Sequence, residues 1–162
     1  MKHTISVYFR NNFNALSRII GLFSGRGFNI DSVSFGAAKE AGMARMTITT
    51  RGDERIIEQI NNQLDKIVDV MKVTDLTYEP FVERELALVK VKSTPASRSE
   101  ITEIVNVFRA KIIDISPETL TIEVTGKEDK VNAAIGMLGP FGLLEVARTG
   151  SVALQREFKG VT

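Results

Sequence analysis

Hydrophobic and polar residues near the start of the chain follow two different periods. Ile5, Val7 and Phe9 alternate with polar residues, which predicts a strand with one buried face. Apolar residues from Leu16 to Phe23 then recur at helical spacing, and two glycines follow them, as is typical of the end of a helix. The pattern predicts a helix over residues 15–24.

The same two periods continue as far as residue 76. Residues 29–37 and 45–50 alternate on either side of a glycine-containing connection, as expected of a hairpin. Apolar residues at helical spacing follow an acidic start at Asp53, and residues 68–76 return to a strand pattern. The predicted order of elements in this first part is therefore βαββαβ.

The chain contains this pattern twice. Residues 77–83, which include Pro80, interrupt it and indicate a linker. After the linker the apolar positions of the first helix return, so that Leu16, Ile19, Ile20 and Phe23 are matched by Ile101, Ile104, Val105 and Phe108. MTITTRGDER from Met46 is matched in the same way by LTIEVTGKED from Leu120. Two tandem copies predict one domain over residues 1–76 and a second over residues 84–162.

A βαββαβ unit with right-handed crossovers folds as a four-stranded antiparallel sheet, with both helices on one face. The expected strand order is 4-1-3-2, which is the ferredoxin-like arrangement of the α+β class. The second strand then lies at an edge with unpaired backbone groups, and the opposite face of the sheet is expected to be bare. Such a unit favours a second copy that pairs with this edge across a twofold axis.

Charge and composition exclude several classes of function. The chain carries 21 lysine and arginine residues against 20 aspartate and glutamate residues, so bulk charge does not favour nucleic acid or an anionic membrane. It contains no cysteine, which excludes disulfides and suits a reducing interior. The N-terminal stretch MKHTISVYFR resembles neither a signal peptide nor a membrane span, so we expect a cytoplasmic protein.

Catalytic and nucleotide-binding patterns are weak in this sequence. The only histidine, His3, is expected at a solvated strand end, and no pair of carboxylates suggests acid–base catalysis. An RNA-recognition domain shares the βαββαβ order, but its third strand would carry exposed aromatic residues, whereas residues 45–50 read RMTITT. An enzyme that uses a ferredoxin-like cleft is therefore a distant alternative, and an RNA-binding module is disfavoured.

The strongest candidate for a binding site is the segment between the first strand and the first helix. The first turn of a helix has backbone N–H groups without partners and the positive end of the helix dipole, so it favours a carboxylate. The alternative is that Asn12 or Asn14 simply caps the helix. Asn29 lies beyond the far end of that helix, roughly 15 Å from Asn14, so one amino acid does not reach both residues of one chain. Antiparallel pairing of second strands would instead bring Asn29 of one copy towards Asn14 of the other.

Six stretches that together span nearly the whole chain carry a family resemblance. They are SVYFRNNFNALSRIIGLFSGRGFNIDSV, ARMTITTRGDE, LDKIVDVMKV, VERELALVKVK, FRAKIIDISPETLTIEVTG and LLEVARTGSVAL. These stretches resemble the small, regulatory subunit of acetohydroxyacid (acetolactate) synthase. The resemblance implies an ACT domain, a ligand-binding module of amino-acid pathways, in the first half and the family's own carboxy-terminal domain in the second.

The resemblance implies a subunit without catalytic activity of its own. Such a subunit binds and activates a catalytic large subunit and confers feedback inhibition by valine in branched-chain amino-acid synthesis. The large subunit of the family carries thiamine diphosphate, magnesium and FAD, and no cofactor is expected in the present chain. A stand-alone ACT-type amino-acid sensor of another pathway is the alternative interpretation.

The resemblance also implies a valine site between the ACT domains of a homodimer. The residues carried over to it are Asn11, Asn14, Ala15 and Leu16 from one chain and Asn29 and Ile30 from the other. Asn14 stands where the family usually has glycine. We therefore expect this chain to activate its partner and to respond weakly to valine, or to use the Asn14 amide on a different ligand.

Overall fold

The computed structural model describes residues 1–160, which form two compact units. The first unit contains Met1–Glu83 together with residues 151–160, and the second unit is Arg84–Gly150. These boundaries differ from the domains expected at 1–76 and 84–162. Residues 77–83 belong to the first unit instead of forming a separate linker, and the chain returns to that unit after Gly150.

The two units are built from four α-helices, nine strands and one short 3-10 helix within the described residues. In chain order these are β1 (Lys2–Arg10), α1 (Phe13–Arg26), β2 (Ile30–Ala37), β3 (Met43–Arg51), α2 (Glu54–Asp65), β4 (Val70–Asp75), the 3-10 helix (Leu76–Tyr78), β5 (Phe81–Lys92), α3 (Arg98–Val107), β6 (Lys111–Ile115), β7 (Thr119–Gly126), α4 (Glu128–Gly142), β8 (Leu143–Arg148) and β9 (Val152–Gln155). The predicted βαββαβ order is confirmed in both halves.

The sheet of the first unit has the strand order β2-β3-β1-β4, and all of its neighbouring strands are antiparallel. This is the predicted ferredoxin-like order. The ladder between β2 and β3 runs from Ile30 opposite Thr50 to Ala37 opposite Ala44, with a bulge at Asp31. As predicted, β2 lies at one edge of the sheet.

The core of the first unit lies between one face of this sheet and the two helices. Alternate residues of β1 enter it, as the period of two predicted, and both helices contribute a buried stripe. The buried residues of β1, α1 and α2 in this core are Ile5, Val7, Phe9, Ala15, Ile19, Phe23, Ile57, Ile60 and Leu64. Full burial of each large apolar side chain stabilises the folded state by about 1.5–3 kcal/mol. Both helices therefore pack with their apolar stripes against the sheet.

The opposite face of the same sheet carries polar residues that are nevertheless buried. Thr4, Ser6 and Thr47 are at most 5% exposed. β9 lies against this face, where the backbone N–H of Ala153 donates to Thr47 Oγ1 at 3.3 Å. The expectation of a bare sheet face was therefore wrong, because the returning chain supplies atoms and hydrogen-bond donors that cover part of it.

The second unit repeats the architecture of the first. Its sheet has the order β6-β7-β5-β8, and α3 and α4 pack on one face of it. The buried positions of α4 are Val131, Ala134 and Leu138, which correspond in the sequence repeat to the buried Ile57, Ile60 and Leu64 of α2. The α+β class with tandem ferredoxin-like units is thus confirmed.

Candidate functional site

The loop between β1 and α1 is attached to the turn that joins β2 and β3. The backbone N–H of Asn11 donates to the Gly42 carbonyl at 2.9 Å, and that of Asn12 donates to the Arg10 carbonyl at 2.9 Å. Gly42 has a φ of +79°, a left-handed conformation that glycine adopts without steric strain. The loop and this turn therefore lie at the same end of the sheet.

Asn12 is the N-cap of α1. Its side-chain oxygen accepts a hydrogen bond from the Ala15 N–H at 2.8 Å, and its carbonyl accepts one from the Leu16 N–H at 3.2 Å. The helix consequently begins at Phe13, two residues before the predicted start. Of the two asparagines considered as caps, the structure assigns the role to Asn12, and Asn14 lies inside the first turn.

The first turn of α1 retains two open backbone donors. Among the described residues, the N–H groups of Phe13 and Asn14 have no hydrogen-bond acceptor, as is usual for the start of a helix. This turn contains no acidic residue, and the Asn14 side chain is exposed. A small carboxylate fits this position electrostatically. Ala15 and Leu16 have already used their N–H groups in the cap, so they shape the turn instead of offering donors.

The second group of predicted site residues lies just before and at the start of β2. The Asn29 carbonyl accepts a hydrogen bond from Thr50 Oγ1, and Ile30 begins the ladder opposite Thr50. The Asn29 side chain is exposed and Ile30 is half-buried. Next to them, Asp31 pairs with Arg51 at 2.8 Å, an ion pair that the sequence pattern did not indicate.

The two groups of predicted residues lie at opposite ends of α1. This helix contains 14 residues, so its two ends are about 20 Å apart at 1.5 Å per residue. Within one chain, Asn11, Asn14, Ala15 and Leu16 therefore form one patch, and Asn29 and Ile30 form another. The structure of a single chain does not bring the two patches together.

The edge strand β2 runs along the sheet from the end where Asn29 lies to the end where the β1–α1 loop lies. Ala37, the last residue of β2, pairs with Ala44 beside the turn that contains Gly42, so it lies at the level of the β1–α1 loop. The first residue of β2, Ile30, follows Asn29 at the other level. Within residues 1–160, β2 pairs only with β3, which leaves its outer backbone groups available to another strand.

The histidine predicted to be solvated is buried. His3 is 1% exposed, and its Nδ1 lies 3.2 Å from Asp75 Oδ2. The Tyr78 ring meets the imidazole edge-on, with 5.9 Å between the ring centroids. The alternation of β1 contained the missed signal, since His3 has the same parity as Ile5 and therefore belongs to the buried face.

Metal-binding clusters and membrane-spanning helices are absent from residues 1–160. No group of three or more histidine, aspartate or glutamate side chains in this range is arranged to hold a metal ion. None of the helices in the same range is long and apolar enough to cross a membrane.

Two family profiles match the chain one after the other. The profile described as "AHAS small subunit-like ACT domain" matches residues 5–72, and the profile described as "Small subunit of acetolactate synthase" matches residues 84–157. The chain belongs to the acetolactate synthase small-subunit family. The first unit therefore contains an ACT domain, and the resemblance found in the sequence is confirmed.

Individual small subunits are similar over almost the full length. The acetolactate synthase small subunit of Aquifex aeolicus is 52% identical over 158 residues, which are 96% of this chain and 82% of that protein. A probable small subunit from Archaeoglobus fulgidus is 47% identical over 96% of this chain and 98% of its own length. The crystal structure of the Thermotoga maritima small subunit superimposes with a TM-score of 0.89 at 41% identity, covering 98% of this chain and 99% of that one.

Membership of this family establishes the kind of protein. Acetolactate synthase small subunits are regulatory and are not the catalytic subunit, and they act in branched-chain amino-acid synthesis. A small subunit implies a catalytic large subunit as its partner, and an ACT domain indicates an amino-acid effector. The expected regulatory role is thus confirmed at the level of the family.

Proposed function

We propose that this small subunit controls its catalytic partner by binding a branched-chain amino acid, with valine as the reference ligand, between two copies of the ACT domain. The observation that carries the proposal is the position of two polar patches about 20 Å apart at opposite ends of α1, beside an unpaired edge strand. One amino acid is too short to contact both patches of one chain, so a complete site needs a second chain.

The direction of β2 determines which patches meet in such a dimer. If two copies of β2 pair antiparallel across a twofold axis, the start of one strand lies beside the end of the other. The end of β2 is at the level of the β1–α1 loop, and its start follows Asn29. Asn29 and Ile30 of one chain therefore approach Asn11 and Asn14 of the other, and the symmetry creates two equivalent sites.

The open donors of α1 suit the carboxylate of the ligand. The N–H groups of Phe13 and Asn14 and the positive end of the helix dipole would hold it in the first turn. The side-chain oxygen of Asn29 from the other chain is an acceptor for the ligand's ammonium group. Leu16 and Ile30 are both half-buried, so they offer apolar surface to a branched aliphatic side chain.

Asn14 is the residue that we propose weakens the response to valine. It lies within α1 and has no positive φ, so the backbone freedom of a glycine is not needed at this position. The effect of asparagine must then come from its side chain, which occupies space beside the open amides. A smaller residue would let the carboxylate approach them more closely.

Regulation follows from the linkage between ligand binding and assembly. A ligand that contacts two chains at once binds only the paired form and stabilises it. The paired ACT domains would present one surface to the catalytic large subunit, whose family carries thiamine diphosphate, magnesium and FAD. The present chain then acts through contact with that subunit and contributes no cofactor of its own.

Reconstitution with the cognate catalytic subunit tests this function. Acetolactate production should rise when the small subunit is added, and valine should reduce it only weakly. Calorimetric titration should show about tenfold tighter valine binding for Asn14→Gly than for the native chain, since removal of one steric or desolvation penalty of about 1.4 kcal/mol has that effect. Tight valine binding by the native chain, unchanged in the variant, would contradict the role of Asn14. An unchanged rate on mixing the two subunits would contradict the regulatory mechanism.

A further inference from the structure

The first unit contains a pocket on the side of the sheet where β1 pairs with β4, away from the edge strand β2. It has a volume of about 360 Å³, within the range of small-molecule sites. α2, the start of β1 and the 3-10 helix surround it. Its lining residues are His3, Glu54, Ile57, Glu58, Asn61, Asp75 and Tyr78.

Two buried hydrogen-bonding atoms of this pocket have no partner within the described residues. They are Nε2 of His3 and Oδ1 of Asn61. Nδ1 of His3 faces the Asp75 carboxylate at 3.2 Å, and in the tautomer that donates from Nδ1 to this carboxylate Nε2 is an acceptor. Both unpaired atoms are thus acceptors, and each requires an N–H or O–H donor from a ligand.

The charged groups that line the pocket indicate which kind of ligand donor binds there. Glu54, Glu58 and Asp75 contribute three carboxyl groups to the lining, and no lysine or arginine is among the lining residues. The Tyr78 hydroxyl lies 3.4 Å from the Glu54 carboxylate. The pKa of Tyr78 is raised, first by desolvation and then by the charges of Glu54 and Asp75. The pocket therefore favours a cation.

We infer that this pocket binds a small aliphatic amine through its primary ammonium group. An ammonium group has three N–H donors, which match Nε2 of His3, Oδ1 of Asn61 and the carboxylate of Glu58. The aliphatic part of the ligand would lie against Ile57 and the ring of Tyr78. A free amino acid fits poorly, because its carboxylate would meet the carboxyl groups of the lining.

Tyr78 controls access to the two acceptors. Both atoms are closed to water in the structure, and the Tyr78 ring stands edge-on to the His3 ring. Tyr78 itself is 59% exposed and lies in a single-turn 3-10 helix. Rotation of this exposed ring would open the pocket without disturbing the core beneath it.

The single histidine provides a specific probe of the site. This chain, without an added histidine tag, should give one set of imidazole signals in a long-range proton–nitrogen spectrum, because its sequence contains one histidine. Titration with n-propylamine hydrochloride should shift the Nε2 signal of His3 saturably. Tetramethylammonium chloride at equal ionic strength is the control, since this cation has no N–H group and should leave the signal in place. Valine should not shift it either, which keeps this test separate from the proposed effector site.

Two variants test the assigned contacts. Asn61→Leu should weaken propylamine binding by about 10- to 100-fold, as expected for loss of one hydrogen bond to a charged group. Glu58→Gln keeps an acceptor oxygen and removes the charge of an exposed carboxylate, so it should weaken binding by about two- to fivefold. Asp65→Asn removes an equal charge from the same helix outside the pocket lining and should bind as the native chain does. Because the Glu58 side chain is exposed, Glu58→Gln retains the fold and decides the question even if Asn61→Leu does not fold. The proposal is overturned if the amine causes no saturable shift, if tetramethylammonium causes the same shift, or if Glu58→Gln binds as tightly as Asp65→Asn.

Discussion

The backbone N–H of Asn11 donates a hydrogen bond to the Gly42 carbonyl at 2.9 Å. This bond joins the loop before α1 to the turn between β2 and β3, two segments that are distant in sequence. The ladder beside it ends with Ala37 opposite Ala44, so the loop is held at the level where the edge strand β2 ends. The proposed effector site thus depends on a turn that supplies none of its ligand contacts.

Replacement of Gly42 should destabilise the first unit through its backbone. Gly42→Ala places a side chain at a φ of +79°, which should lower the free energy of unfolding by about 1–2 kcal/mol. Gly21→Ala is the matched control, because Gly21 lies in α1 with open space around it and alanine should raise the same free energy by up to about 1 kcal/mol. Urea denaturation measures both. Stabilisation by both substitutions would show that the turn tolerates alanine.

Mixing two variants that do not bind valine should restore part of the valine binding if the site lies between chains. One variant carries Asn14→Asp, whose carboxylate repels that of the ligand, and the other carries Asn14→Gly together with Asn29→Leu. Each homodimer lacks one half of both sites. After the chains are mixed at equal amounts and exchanged, about one quarter of the sites of the Asn14→Gly parent should bind valine, because half of the dimers are mixed and each has one intact site.

Calorimetry of the mixture gives this stoichiometry directly. The separate homodimers serve as controls and should bind no valine. Failure of the mixture to bind would place the site within one chain or elsewhere on the molecule, and so would contradict pairing through β2.

The chain that returns after residue 150 should stabilise the first unit. Ala153 is 1% exposed and donates its N–H to Thr47, so Ala153→Glu buries a charge and should lower the free energy of unfolding by at least about 2 kcal/mol. Leu154 is 51% exposed, and Leu154→Glu should change the same quantity by less than about 0.5 kcal/mol. Equal effects of the two substitutions in urea denaturation would show that β9 does not pack on the sheet.

The hydrogen bond between Tyr8 and Glu40 should make stability depend on pH in the acid range. The Tyr8 hydroxyl donates to Glu40 Oε2 at 2.5 Å and, with the backbone contact of Glu40 as a second cause, lowers the pKa of this carboxyl below its usual 4.5. A carboxyl with a lowered folded-state pKa stabilises the protein above its unfolded-state pKa, and this contribution is lost as the pH falls through the folded-state pKa.

The stability difference between the native chain and Tyr8→Phe should therefore be largest near neutral pH and should shrink below about pH 4.5. Urea denaturation over a pH series measures it. In a Glu40→Gln background, Tyr8→Phe should have an effect that does not change with pH in this range. A constant difference in both backgrounds would show that the hydrogen bond does not act on the ionised carboxyl.

The helices show how much of their packing is predicted by the spacing of apolar residues. Spacing predicts an apolar stripe of Ile57, Ile60, Leu64 and Ile67 in α2. The first three are buried, whereas Ile67 lies beyond the end of the helix at Asp65 and is half-buried. The first helix is different, because Ile20 is 37% exposed whereas Val105, its counterpart in the repeat, is 4% exposed. Spacing identifies several apolar positions on a helix, but the rotation of the helix against its sheet decides which of them face the core.

In the candidate site too, residue spacing predicted some features, and contacts seen in the structure decided others. Three asparagines in the segment before and within α1 pointed to a helix start with open donors, and that feature is present. Which asparagine caps the helix depended on the hydrogen bond between Asn12 and Ala15, and the anchoring of the loop depended on Gly42. The bond to Gly42 joins residues that are far apart in the chain, so the spacing of residues within the segment does not predict it.

The order of elements, the tandem repeat, the ferredoxin-like class and the family followed from the sequence alone, because these depend on short-range periodicity and on residue identity. The return of the chain to the first unit after residue 150 and the enclosure of His3 beside Asp75 became visible only in the folded molecule. These features arise from contacts between residues far apart in the chain, which the short-range pattern does not specify.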